Sequence, residues 1–233
     1  RRPARDVTLA FFADEEAGGI LGSHWLVERH PELFAGCTEA VSEVGGYSID
    51  LAGRRAYLLQ TGEKALVWIR LRTHGPAAHG SRLITDNAVT RLAEAIAAIG
   101  RRDWPIRLTD TTRTLVDELG RILGLDPARV GPDEVVLASG TAAGFIQATL
   151  RTTSNPTLLE AGYKHNVIPD TATALVDIRT LPGEEEQVLA EVRALIGDDV
   201  EIEVVHTDIG LENPFSGALV DTMTGLLDRH DPG

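Results

Sequence analysis

Residues Ala65–Thr73, ALVWIRLRT, alternate apolar and polar side chains. Leu66, Trp68, Arg70 and Arg72 fall on one side, and Val67, Ile69 and Leu71 on the other. A period of two puts one row in a core and leaves the other against solvent, so the segment reads as a half-buried antiparallel strand. The rest of the middle of the chain follows in kind. Asn87–Ile99 carries Val89, Leu92, Ala93, Ile96 and Ile99 at helical spacing. Leu158–Glu160 and Thr173–Arg179 read as strands, and Val200–Val205 as a last one. Glu184–Ile196 reads as a helix with acidic residues in its first turn, where the helix dipole favours them. Strand, helix, strand, strand, helix, strand describes a small α+β sandwich. Residues 101–157 interrupt it with helical and Gly-containing stretches whose role the sequence leaves open.

The front of the chain has a different texture. Val7–Ala13, VTLAFFA, is a continuous apolar run, as expected of a strand buried on both faces of a parallel sheet. Asp14-Glu15-Glu16 and Gly18-Gly19 follow at once, then a helical stretch near Ser23–His30. Ala40–Ser42 reads as a second buried strand ending at Glu43 and Gly45-Gly46. Both acidic positions thus sit at expected carboxyl ends of strands, where open α/β sheets place their ligands. A loop after about residue 207 leads to a helix near Gly217–Arg229.

Composition excludes several classes of partner. The net charge of −13 argues against nucleic acid, whose phosphates need a concentrated basic face. Cys37 is the only cysteine, so no intrachain disulfide and no thiolate zinc site can form. That cysteine usage fits a cytoplasmic setting. No run approaches the roughly 18 apolar residues of a membrane span, and no signal peptide is visible.

Five positions stand out chemically, beginning with the acidic triplet. Three consecutive carboxylates disfavour one another's ionisation, and a divalent cation relieves that cost. One of them can bind a metal while its neighbour takes a proton from bound water. An acidic helix N-terminus accounts for the triplet equally well. Glu43 is either a second strand-end carboxylate or a turn residue facing solvent. His79 lies in Thr73–Arg82, THGPAAHGSR, a small-residue loop that can approach a ligand closely. Its imidazole could donate to a developing oxyanion, or be an ordinary loop histidine. Asn166 in KHNVIPD and Arg179 in ALVDIRTLPG could hold a carboxylate through an amide and a guanidinium. The alternatives are a turn-forming Asn and a surface Arg paired with Asp177.

Taken in order, ADEEAGG at 13–19, SEVGG at 42–46, HGPAAHGSR at 74–82, NVIPD at 166–170 and DIRTLPG at 177–183 resemble the M20 metallopeptidase family. That family comprises aminoacylases, desuccinylases, carboxypeptidases and dipeptidases. The resemblance implies an α/β catalytic domain with a mostly parallel sheet, split as 1–61 and 208–233. An α+β sandwich at 62–207 would be inserted as a lid and dimerisation domain. It implies metal-dependent hydrolysis of an amide or peptide bond in a small carboxylate-bearing substrate, an N-acyl amino acid or a dipeptide. Glu15 would be the general base, Glu16 and Glu43 would each ligate one of two divalent ions, zinc by expectation, and His79 would stabilise the oxyanion, commonly in a dimer partner's site. Asn166 and Arg179 would hold the substrate carboxylate. The family's upstream His-x-Asp motif, its bridging Asp and its late His have no counterpart in the expected places. Two carboxylates without imidazole are a poor zinc site, so a complete di-zinc centre is not expected of this chain by itself. An aminopeptidase of related fold, and a non-catalytic dimerisation module, stay open as alternatives.

Overall fold

The computed structural model describes residues 5–42 and 46–232. It divides into two compact units, Arg1–Val44 and Gly45–Gly233.

The first unit is built from turns. A 3-10 turn at Glu15–Ala17 leads to a π-helical turn at Ile20–His24, which runs straight into α1 (Trp25–Arg29), followed by a 3-10 turn at Pro31–Phe34. The helical stretch expected at Ser23–His30 is therefore present, though only α1 and the end of the π turn form it. The two strands expected here are not formed. Val7–Ala13 and Ala40–Ser42 carry no ladder, and Phe11 is 91% exposed and Val41 70%. A strand buried on both faces needs neighbours along both edges and helices over both faces. The described residues of this unit supply only short helical turns, and neither apolar run joins a sheet.

The second unit runs β1 (Tyr47–Leu51), β2 (Arg54–Leu58), β3 (Gly62–Glu63), β4 (Ala65–His74), β5 (Ala78–His79), α2 (Ala88–Gly100), α3 (Asp110–Leu123), α4 (Pro127–Val130), α5 (Pro132–Leu137), α6 (Ala143–Thr149), β6 (Thr153–Ala161), β7 (Val167–Ile168), β8 (Thr171–Thr180), α7 (Glu185–Ile196), β9 (Glu201–Thr207), β10 (Leu211–Glu212) and α8 (Ala218–His230). Its centre is a four-stranded sheet in the order β6-β8-β4-β9, antiparallel throughout. The alternation in β4 does what its spacing predicts: Val67, Ile69 and Leu71 are buried, while Leu66, Trp68, Arg70 and Arg72 are half-exposed on the other face. They pack with Ala174, Val176 and Ile178 of β8 under Leu92 and Ile99 of α2 and Val188 and Val192 of α7. The sandwich read from the sequence is thus the observed one, and the class is mixed α/β.

The phase of α2 differs from the reading. Its buried stripe is Ala88, Leu92, Ala95 and Ile99, whereas Val89 is 37% exposed and Ala93 is exposed. The Thr73 hydroxyl on β4 donates to the Ala88 carbonyl at 2.8 Å, which pins the first turn with the small alanine inward. Asn87 caps the helix, its Oδ1 accepting from the amides of Val89 and Thr90 at 3.0 and 3.1 Å.

Residues 101–157, whose role the sequence leaves open, build a second core. Val116 and Leu119 of α3, Val135 and Val136 of α5 and Ile146 of α6 pack with Leu51 of β1. The β1–β2 hairpin turns at Ala52-Gly53, with φ of 53° and 80°, the pair of positive values that matches strand twist in a two-residue loop. The chain enters and leaves the sandwich side by side. Gly62-Glu63 pairs antiparallel with Leu211-Glu212, and the Asp208 amide donates to the Leu66 carbonyl at 2.8 Å.

Candidate functional site

The acidic triplet folds as a tight turn in the first unit. Asp14 takes a left-handed conformation, φ 53°, and its carbonyl accepts from the amides of Ala17 at 3.0 Å and Gly19 at 2.8 Å. Its Oδ2 accepts from the Leu21 amide at 2.8 Å. Gly22 permits this packing, because a Cβ there would stand 2.0 Å from the Ala13 carbonyl oxygen and 2.7 Å from Asp14 Oδ1. Asp14 is therefore engaged in holding the turn, which leaves Glu15 and Glu16, both exposed, as the outward carboxylates. Glu43 lies outside the described residues. Among the described residues no group of three or more His, Cys, Asp or Glu could hold a metal ion. A zinc centre takes nitrogen or sulfur donors beside carboxylates. The described carboxylates alone do not fit one.

In the second unit the structure brings His79 and Asn166 together. β5 pairs with β7, setting His79 opposite Val167, and the Gly80 amide donates to the Asn166 carbonyl at 2.9 Å. Local sequence explains the geometry of the ring. The Ser81 amide donates to His79 Nδ1 at 3.3 Å, and Ser81 Oγ lies 2.8 Å from the same nitrogen. With Nδ1 accepting, the neutral imidazole carries its proton on Nε2 and presents it as a donor. The Asn166 Oδ1 is buried and has no hydrogen-bond partner among the described residues. A buried amide oxygen left unpaired is costly in a closed structure, so the Asn166 oxygen has capacity for a further donor.

Arg179 is elsewhere. It stands near the far end of β8, opposite Leu66 of β4, whereas the His79–Asn166 corner adjoins the Thr171 end. Eight residues of antiparallel strand separate the two, about 27 Å at ~3.4 Å per residue. One copy of the sandwich therefore does not hold Asn166 and Arg179 around a single carboxylate. The guanidinium binds Asp177 in bidentate fashion, Nε to Oδ1 at 2.7 Å and Nη2 to Oδ2 at 3.0 Å, and Trp68 Nε1 donates to the same Oδ2 at 3.1 Å. Burial alone would raise the Asp177 carboxyl, but the hydrogen bonds from Arg179 and Trp68 outweigh it and hold it below the usual carboxylate range. The Asp177 hydrogen bond in turn raises Arg179, against burial. The open sheet face continues with the His206 ring packed 5.5 Å from Trp68, and His206 Nε2 lies 2.8 Å from Asp208 Oδ2.

Lys64 and Trp68 were not singled out from the sequence. Lys64 Nζ donates to the carbonyls of Ala148 and Arg151, both at 2.9 Å, and to Thr153 Oγ1 at 3.1 Å, and burial followed by the charge of Arg179 lowers it to about 8. Trp68 had one available signal: in a ladder of this register it faces Asp177, which shares a face with Arg179 two residues on. A cavity of about 690 Å³ in this unit is walled by Leu58, Leu115, Ile122, Phe145, Phe215 and Leu227, with Lys64 at its edge, and none of the candidate residues lines it.

Comparison with known proteins gives a consistent picture. The model of the peptidase dimerisation domain, M20_dimer, matches residues 61–202. A probable carboxypeptidase S-like 2 from Dictyostelium discoideum is 24% identical over 224 residues, 85% of this chain and 40% of the relative. Aminoacylase-1 from Sus scrofa is 27% identical over 181 residues, 76% of this chain and 35% of the relative. The chain thus spans about two fifths of the length of the curated relatives it matches. Among solved structures, an M20 family metallo-carboxypeptidase, Sso-CP2 from Sulfolobus solfataricus, superposes with a TM-score of 0.51 at 20% identity, over 79% of this chain and 46% of that one, a likeness of fold. Among the described residues no helix is long and apolar enough to cross a membrane.

Proposed function

The chain belongs to the M20 peptidase dimerisation-domain family, and from that premise we propose that the whole protein hydrolyses an amide or peptide bond in a small substrate with a free carboxylate, an N-acyl amino acid or a dipeptide. The observation that carries the reading is the make-up of the matched segment. His79, Asn166 and Arg179 all fall inside residues 61–202, and each has a hydrogen-bond donor to offer, from Nε2, the amide NH2 and the guanidinium. A lid with that equipment binds and polarises a carbonyl and a carboxylate, and leaves the proton to be taken elsewhere. Glu15, on the exposed acidic turn ahead of the matched segment, is the general base of this reading. Glu16 and Glu43 contribute carboxylates to a two-metal centre, zinc by the donor types of the family, whose imidazole ligands come from other parts of the whole protein. Residues 1–61 and 208–233 form part of the catalytic domain and 62–207 the inserted lid. The side-by-side entry and exit of the chain at Gly62-Glu63 and Leu211-Glu212 supports that division.

The lid also makes the protein a homodimer in this reading. The spacing of about 27 Å along β8 supports it, since the His79–Asn166 corner and Arg179 of one lid then serve two different sites. The β6 edge, with Leu158 42% and Leu159 58% exposed, ends at Ala161 beside that corner and is the side on which a second copy fits. Carboxylate recognition by Arg179 is tested in the whole, metal-loaded protein. Arg179→Ala raises KM at least tenfold for N-acyl amino acids and leaves neutral carboxamide analogues unchanged. Equal effects on acids and neutral analogues would remove the carboxylate role.

A further inference from the structure

The guanidinium of Arg179 has two edges that can each grip a carboxylate. One joins Nε and Nη2, the other joins Nη1 and Nη2. In this structure the first is taken by Asp177, at 2.7 and 3.0 Å. Asp177 is not free to turn with it, because the Trp68 indole N–H donates to its Oδ2 at 3.1 Å from the neighbouring strand. Trp68 is itself set by register, directly opposite Asp177, and by its packing against His206. Asp177 is partly buried, its side chain 25% exposed, while the Arg179 side chain is 44% exposed. The ordered end of the pair thus lies against the sheet and the open end toward solvent. Lys64, between β3 and β4, adds its charge to the same anion, lowering the Asp177 carboxyl further.

We infer that Asp177, keyed by Trp68, is a positioning residue for carboxylate recognition: it occupies the Nε–Nη2 edge of Arg179 so that the Nη1–Nη2 edge is presented, in one orientation, to the substrate's carboxylate. The inference rests on the reading that Arg179 binds that carboxylate. Its physical content is pre-organisation. A free arginine on a strand face samples many rotamers and loses that freedom on binding. One already clamped along one edge has little left to lose, and its planar fork is held at the angle at which a second carboxylate docks. A merely structural ion pair on the sheet surface makes no such demand, since removing it changes the fold or nothing.

The test uses the whole, metal-loaded protein with an N-acyl amino acid and its carboxamide analogue. Asp177→Asn keeps the shape and removes the charge-assisted grip on both guanidinium nitrogens. It raises KM for the acid about tenfold, leaves kcat within twofold, and leaves the carboxamide constants unchanged. Trp68→Phe, which keeps most of the packing and deletes the indole donor, moves KM for the acid the same way by twofold to threefold. Added to Arg179→Ala, Asp177→Asn has no further effect. If Arg179→Ala discriminates acid from amide while Asp177→Asn and Trp68→Phe do not, or lower KM through loss of the competing negative charge, the positioning role is wrong and the carboxylate reading stands. If Arg179→Ala itself fails to discriminate, the carboxylate reading falls and takes the positioning role with it. Should Asp177→Asn fail to fold, Trp68→Phe alone decides between these outcomes.

Discussion

At the scale of single residues, what the chemistry needs and what the sequence displays are different things. Asp14-Glu15-Glu16 is legible as a run of letters, but its division is not. Only the backbone shows Asp14 turned inward to hold Leu21 and the two exposed glutamates left over. Arg179 was legible both as a carboxylate binder and as the partner of Asp177, and the geometry permits both at once, one on each edge of the guanidinium. Lys64 was invisible, because nothing in its sequence neighbourhood announces the three acceptors that surround it. Its burial makes a pH prediction. The protonated form is disfavoured in the folded chain, where Lys64 titrates at about 8, relative to an ordinary 10.5 unfolded. Between those values the unfolded chain binds more protons, so stability rises with pH across that window and is lower, and flat, below it. Denaturation midpoints of the parent and of Lys64→Gln diverge from pH 8 to pH 10 in favour of the parent. Parallel curves would show that Lys64 is not desolvated.

At the scale of elements, period two and period 3.6 carried most of the sandwich. β4, β8, α7 and β9 lie where spacing put them, because each buries one face against a partner within the same unit. The separate helices between Pro127 and Thr149 were not legible, since α4, α5 and α6 span only four to seven residues each, too short for a helical period to show. Val7–Ala13 failed for the opposite reason. Its apolar run is strong, but a strand is a property of a pair, and its partners are not among the described residues. The one-residue error in the phase of α2 came from Thr73, whose hydrogen bond to Ala88 no helical wheel contains. The cap of that helix is open to test. Asn87→Ala leaves the amides of Val89 and Thr90 without the Asn87 acceptor and costs about 1 kcal/mol of stability, while Asn87→Asp costs little. Equal losses for both would show that the side chain does something other than cap.

At the scale of the molecule, the family and the fold rest on the second unit, where the matched segment, the sandwich and the side-by-side hinge strands coincide. The candidate base rests on the first, and Glu16, the candidate metal ligand described there, does not make a metal centre without donors from elsewhere. The account therefore stands or falls on whether Glu15 does what a base does once the site is whole. The measurement is hydrolysis of an N-acyl amino acid by the whole protein, compared with Glu15→Gln at equal metal content, each before and after chelation and zinc re-addition. In the parent, chelation abolishes activity and zinc restores it. Glu15→Gln binds metal normally yet loses on the order of a hundredfold to ten-thousandfold in kcat, the usual worth of a positioned base. A Glu15→Gln protein that hydrolyses at the parent rate, or a parent indifferent to chelation, would contradict it.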